Sequence, residues 1–210
     1  MNRVFQIIVD NTSGVLSRIS GLFSRRGYNI ESITAGVTAD PRFTRITIVT
    51  SGDEGILEQI EKQVSKLVDV RDIKELKPNE SVYRELCMIK VRANAKERQG
   101  VIALTNIFRG NIIDVGRQSL MVEIVGSQDK VDAFMNLLDG YEILEVARTG
   151  IAALARGIEH VLYIDDDGSV SGWTEHAKKE QERAARELEE QAAAEAAKEK
   201  TAAKNKKTAK

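Results

Sequence analysis

Apolar positions along the first 76 residues alternate between two spatial periods. Phe5, Ile7 and Val9 share one face of Val4 to Asp10 at the two-residue spacing of a strand. Asn11-Thr-Ser-Gly14 breaks the alternation as a turn whose side chains are also helix-capping types. Val15, Leu16, Ile19, Leu22 and Phe23 then fall at helical spacing and form an amphipathic stripe. Arg25 and Arg26 sit in the last turn of this helix, where cations complement its dipole, and Gly27 can end it. Ile30 to Val37 and Arg45 to Thr50 read as strands joined around Asp40-Pro41. Gly52 to Gly55 leads into a second helix with Ile56, Leu57, Ile60, Val64 and Leu67 on one face, and Val68 to Leu76 supplies a fourth strand. The order is βαββαβ, the split βαβ of ferredoxin-like folds.

The order repeats beyond a polar hinge, Lys77-Pro-Asn-Glu-Ser81. Tyr83 to Arg92 is a strand, Val101 to Phe108 a helix ending at Arg109-Gly110, and Ile112 to Val115 and Leu120 to Val125 are strands. A helix carrying Val131, Phe134, Leu137 and Leu138 follows, and Ile143 to Arg148 closes the unit. The predicted fold class is α+β, two tandem ferredoxin-like βαββαβ domains at residues 1–77 and 83–157 with a linker at 78–82. An extension covers 158–173, and 174–210 is an Ala/Lys/Glu-rich tail without an apolar stripe, read as a solvated helix or disorder. Glu175/Lys179 and Glu182/Arg186 are spaced for pairing along that helix. Domains this small have marginal cores, so association through sheet edges or faces is expected.

Composition narrows the chemistry. The chain has 31 Lys plus Arg against 32 Asp plus Glu, so its body offers no basic field for nucleic acid. No apolar run approaches the roughly 20 residues of a membrane span. No basic leader with a cleavage site opens the sequence, which reads as a cytoplasmic protein. Cys87 is the single cysteine and lies mid-strand among apolar neighbours, where packing is its expected role. His160 and His176 lie outside the folded body and cannot assemble a triad or an HExxH within it. Phosphate-cradling glycine loops are missing from the sequence, so catalysis by this chain alone is not expected.

The stretch that does offer chemistry is Asp10 to Leu16, where the first strand meets the first helix. Unpaired N–H groups at a helix start, with the dipole behind them, suit a carboxylate. Gly14 leaves room for close approach, and the Asn11 amide can accept from an ammonium and donate to a carboxylate. Val15 and Leu16, with Ile19 or Ile30, offer aliphatic lining, and Asn29 is a second amide beyond Gly27. A plainer reading stays open on spacing alone: Asn11 or Ser13 only caps the helix and Gly14 only turns.

Asn11-Thr-Ser-Gly-Val-Leu-Ser-Arg-Ile19, followed by Gly21-Leu-Phe-Ser-Arg-Arg-Gly-Tyr-Asn-Ile-Glu-Ser32, closely resembles the regulatory small subunits of acetolactate synthase, also called acetohydroxyacid synthase. The likeness continues through Leu57 to Gln63, Lys66 to Val70, Arg84-Glu-Leu86, Asn106 to Val115, Glu145 to Gly150 and Leu154 to Gly157, covering roughly residues 1–157. The Gly27-Tyr-Asn-Ile-Glu-Ser32 run separates this family from generic ACT domains, which sense amino acids. The resemblance implies a regulatory chain that holds no cofactor and activates a separate large catalytic subunit carrying thiamine diphosphate, Mg²⁺ and FAD. It further implies a homodimer through the ACT domains, with a branched-chain amino acid, typically valine, bound between chains as feedback inhibitor in isoleucine, leucine and valine biosynthesis. The matching effector positions are Asn11, Gly14, Val15 and Leu16 of one chain, with Asn29 and Ile30 of the other.

Two rival functions fit the same fold: a free-standing ACT-type sensor, and an RNA-binding module. The second expects aromatic-rich central strands, and only Phe5 and Tyr83 are offered. Arg25-Arg26 could meet an acidic surface, although helix-end complementarity is the simpler role. Asp165-Asp-Asp-Gly168 resembles part of a cation loop but lacks the following bidentate Glu, which favours a turn. The terminal lysines are read as a solubility feature.

Overall fold

A computed structural model of the chain describes residues 2–158, 162–164, 169–172, 175, 178–179, 181–183 and 186. The chain divides into two compact units, Met1–Arg156 and Gly157–Lys210.

In the first unit, β1 (Asn2–Asp10), α1 (Val15–Arg26), β2 (Asn29–Val37), β3 (Phe43–Ser51), α2 (Glu54–Val64) and β4 (Val70–Leu76) build an antiparallel sheet of order β2-β3-β1-β4. The pattern then recurs in β5 (Ser81–Arg92), α3 (Arg98–Ile107), β6 (Asn111–Val115), β7 (Ser119–Gly126), α4 (Gln128–Leu137) and β8 (Ile143–Arg148), with order β6-β7-β5-β8. Both halves have the predicted ferredoxin-like topology. Phe5, Ile7 and Val9 pack with Ile19, Phe23, Leu57 and Ile60 in one core. Cys87, Ile89, Val122, Val131 and Phe134 form the equivalent second core. Cys87 is fully buried, and burial pushes its thiol pKa up, as befits a packing residue.

Local chemistry explains the helix starts. The Asp53 carboxylate accepts from the Ile56 N–H at 2.8 Å to cap α2. Asn94 and Glu97 exchange side-chain and backbone bonds ahead of α3, a reciprocal capping box. At the end of α1 the Tyr28 N–H reaches back to the Phe23 carbonyl at 3.0 Å, satisfying an otherwise orphan acceptor, with Arg25 and Arg26 in the last turn.

Several positions differ from the sequence reading. Ser81 and Val82, expected in the linker, already belong to β5, because β9 (Ala152–Ala155) pairs with Ser81–Arg84. This two-stranded ribbon lies on the back of the first sheet: Val4, Val49 and Leu76 form a third core with Ile151, Ala153 and Tyr83. The Tyr83 hydroxyl donates to the Leu76 carbonyl. Consequently β1 is buried on both faces, Gln6 and Ile8 included. Each apolar side chain in such a junction contributes about 1.5–3 kcal/mol at most. Val68 is 90% exposed and precedes β4 rather than opening it. Leu16, Ile56 and Leu137 sit at the edges of their helical stripes and are exposed instead of buried.

In the second unit β10 (Leu162–Ile164) and β11 (Val170–Gly172) pair antiparallel. The described tail residues are helical, and Lys179 reaches Glu175 at 3.7 Å, the expected i,i+4 pair. His160, His176 and Asp165-Asp-Asp-Gly168 lie outside the described residues.

Candidate functional site

The chain leaves β1 at Asp10 and enters α1 through Gly14, whose φ of +88° is the left-handed region glycine adopts without strain. No side chain caps α1, which sets aside the reading of Asn11 or Ser13 as its cap. Asn11 is tied elsewhere. Its backbone N–H meets the Arg42 carbonyl at 2.7 Å, its side-chain Nδ2 donates to the Pro41 carbonyl at 3.0 Å, and its Oδ1 accepts from the Thr44 hydroxyl at 3.1 Å. The amide thus clamps the β2–β3 loop against the end of β1, and the clamp leaves the helix start open.

Arg18 is the first residue of α1 whose N–H bonds backwards, to the Gly14 carbonyl at 3.0 Å. The N–H groups ahead of it have no intrahelical acceptor and sit at the positive end of the dipole. No acidic side chain lies in this first turn. The charges close by are already matched: Arg18 holds Asp69 at 2.5 and 2.8 Å, and Arg71 holds Asp10 at 2.7 Å through two nitrogens. The Asp10 hydrogen bonds raise the Arg71 pKa, so this cation stays charged. The Val15 side chain is buried in the core, so it brings only its amide to the site, whereas Leu16, 47% exposed, presents its isobutyl group on the surface.

Asn29 and Ile30 open β2. The Asn29 Nδ2 donates to the Glu31 carboxylate at 2.5 Å, which also accepts from the Ser51 hydroxyl at 2.7 Å. The Thr50 hydroxyl donates to the Asn29 carbonyl at 2.6 Å. Ile30 is half-buried against the first core. Strand register fixes where these residues stand. Asn29 pairs with Ser51, which pairs with Asn2, whereas Asp10 pairs with Phe43. The two groups therefore occupy opposite ends of the sheet, separated by about eight residues of strand, roughly 26 Å. One chain brings Asn11, Gly14, Val15 and Leu16 together and keeps Asn29 and Ile30 apart from them.

Sequence reasoning did not single out Pro41 and Thr44, which hold Asn11, or Val37, which ends the β2 edge and is 60% exposed. Val37 pairs with Thr44, which pairs with Val9, in the row that leads to Asn11. No local spacing signals these contacts, because the partners lie some thirty positions away in sequence. Arg26 donates to the Gln63 side chain at 3.2 Å, bracing α1 against α2. Among the described residues no group of three or more His, Cys, Asp or Glu could hold a metal ion, and no helix is long and apolar enough to cross a membrane.

Comparison with known proteins agrees with this architecture. Residues 5–72 match the family model described as the AHAS small subunit-like ACT domain, and residues 84–157 match that of the small subunit of acetolactate synthase. The probable acetolactate synthase small subunit of Methanothermobacter thermautotrophicus is 48% identical over 155 residues, covering 73% of this chain and 92% of that protein. The isozyme 3 small subunit of Escherichia coli is 48% identical over 158 residues, covering 75% and 97%. The crystal structure of the acetolactate synthase small subunit from Thermotoga maritima superposes with a TM-score of 0.71 at 42% identity, covering 75% of this chain and 98% of that one. The likeness in sequence and in fold spans both βαββαβ halves, and the rival readings as free-standing sensor or RNA-binding module give way to it. The chain belongs to the acetolactate synthase small-subunit family, a regulatory subunit whose partner is the large catalytic subunit of the holoenzyme.

Proposed function

We propose that this chain activates the catalytic subunit of acetolactate synthase and makes it responsive to feedback by a branched-chain amino acid, valine first. Thiamine diphosphate, Mg²⁺ and FAD belong, in this reading, to the catalytic subunit, and the regulatory chain works from the cytoplasm as a homodimer.

The observation that carries the proposal is that the two halves of the effector site stand at opposite ends of one sheet. β2 is an edge strand with Ile33 and Val37 exposed, and an open edge is a template for pairing. In an antiparallel pairing of two such edges, the start of one β2 lies beside the end of the other. The partner's Asn29 and Ile30 would then approach Val37, in the row of Thr44 and Val9 beside Asn11 and Gly14. Two chains complete what one chain cannot.

The valine carboxylate would meet the unpaired N–H groups of the first turn of α1. Its ammonium would meet the side-chain oxygens of Asn11 and of the partner's Asn29, and its isopropyl group would lie beside Leu16. Ligand binding favours one arrangement of paired domains over another and so shifts the population that activates the catalytic subunit. β2 offers a route onward, since the Thr34 hydroxyl donates to the Thr149 carbonyl of the second half at 3.2 Å.

Reconstitution is the test. The chain is mixed with its purified large subunit, and acetolactate formation is measured with and without valine. Activation that valine reverses is expected; absence of both complex and activation overturns the proposal.

A further inference from the structure

The β5–β9 ribbon covers β1 and β4 on the back of the first sheet and leaves an apolar cleft of about 440 Å³ beside β2 and β3. This volume lies within the range of small-molecule sites, roughly 300–1,000 Å³. Gly36 and Val37 of β2, Arg45 of β3, Val82 and Arg84 of β5 and Leu154 of β9 are among its walls. Two arginines line it and no Asp or Glu does.

Arg45 is the unusual feature. It stands in the row formed by Ile8 and Gly36, on the face away from the helices. Gly36 leaves the space next to it open: a Cβ added there would meet nothing within 4 Å. The Arg45 guanidinium donates to the side-chain oxygen of Gln6, a neutral and almost fully buried amide. Burial lowers the Arg45 pKa, and Asp72, one strand beyond Ile8, opposes this through its field without a hydrogen bond to Arg45. Arg84 is engaged through its own Nη1 with the Tyr83 carbonyl at 2.7 Å. A guanidinium partly stripped of water and matched by a neutral amide gains most from an anion that accepts from two of its nitrogens.

We propose that this cleft binds a short aliphatic carboxylate that carries no amino group. The carboxylate pairs with Arg45 over the opening left by Gly36, and the hydrocarbon lies along Val37, Val82 and Leu154. An ammonium group is rejected, because the walls offer two cations and no acid. Such a ligand touches β2, β3 and the ribbon at once and so steadies the second half of the unit against the first. The cleft shares Val37 with the edge where the partner's Asn29 and Ile30 would approach, but its carboxylate site at Arg45 uses none of the groups proposed to hold valine.

The test titrates the full chain with sodium hexanoate, following backbone amides by ¹H–¹⁵N NMR and heat by calorimetry. Hexylamine, hexan-1-ol and the pair valine and 3-methylbutanoate serve as comparisons. Saturable binding of hexanoate is expected, with shifts centred on Gly36, Val37 and Leu154, and binding should strengthen roughly fourfold for each methylene from butanoate upward. Arg45→Gln should weaken it about tenfold or more, and Arg45→Lys should recover part of the loss. Ala152→Leu, an exposed change that narrows the cleft, should weaken it without lowering the melting temperature. 3-Methylbutanoate should act here and valine should not; valine shifts confined to Asn11 and Gly14 would speak to the other site alone. The proposal is overturned by absence of saturable binding at millimolar hexanoate, by equal binding of hexan-1-ol, or by undiminished binding in Arg45→Gln. All titrations are run at one protein concentration, so that pairing of copies along the β2 edge stays constant, and absence of hexanoate shifts at Val82 and Leu154, away from that edge, overturns it equally.

Discussion

Arg148 grips the Glu85 carboxylate through two parallel hydrogen bonds of 2.8 Å, joining the last strand of the second domain to its first across 63 positions. Glu85 is 4% exposed, and a third bond ties Arg148 to Asp132 at 2.9 Å. These bonds, the Glu85 pair first, raise the Arg148 pKa, so the cation is permanent. Arg148→Leu strands a buried carboxylate and should cost about 2–4 kcal/mol, less than a wholly buried pair because Arg148 itself is partly exposed. Urea unfolding reads the loss, and the double variant Arg148→Leu/Glu85→Leu should recover much of it. A single variant as stable as the parent would mean that water reaches Glu85.

Asp72 makes stability depend on pH in the opposite sense from most carboxylates. Burial raises its pKa above the ordinary 3.8, and its Oδ2 is buried without a hydrogen-bond partner. Between the ordinary and the raised value, the folded chain holds a proton that the unfolded chain has lost. Stability from this group therefore falls as pH rises through that window and stays lowered above it. Asp72→Asn should be more stable than the parent at pH 7, and the difference should vanish on acidification below the ordinary value. Urea midpoints across the pH range check this; a constant difference would refute it.

Gly150 lies where the second domain meets β2. Its φ is +82°, and an added Cβ would come within 2.9 Å of the Ser32 Cβ. Gly150→Ala pays left-handed strain of about 1–2 kcal/mol and must also displace Ser32, so a loss of about 2–3 kcal/mol is expected. A fall in melting temperature of several degrees is the measurable sign. The same variant should blunt the response to valine if β2 carries the signal through Thr34 and Thr149.

The proposed two-chain site makes a complementation prediction. Gly14→Asp places a carboxylate where one should bind, and aspartate tolerates the left-handed backbone better than most residues. Asn29→Ala removes the amide from the opposite half. Each variant alone should lose valine inhibition at least tenfold while still activating the catalytic subunit. Mixed dimers should regain one intact site per pair and a partial response, read by acetolactate assays on equimolar mixtures. Failure of the mixture to respond would place both residues in the same half-site.

Both βαββαβ halves were legible from residue periods, because Phe5, Ile7 and Val9, and likewise Val15, Ile19 and Leu22, answer to one nearby core. The positions that misled, Leu16, Ile56, Val68 and Leu137, are apolar residues at element edges, where period alone does not decide which side faces solvent. Asn11 and Gly14 were visible as chemistry at a strand–helix junction. The clamp on Asn11 was not, since Pro41 and Thr44 arrive through strand pairing.

The sequence by itself determined the class of fold, the duplication and the residues proposed to hold an amino acid, because these depend on local periods and on side-chain chemistry. Only the tertiary structure decided that β5 begins at Ser81 and shares a ribbon with β9, that β1 is buried on both faces, and that Asn29 stands a sheet's length from Gly14. Each of these follows from strand register, which couples residues tens of positions apart and leaves no mark in the spacing of neighbours.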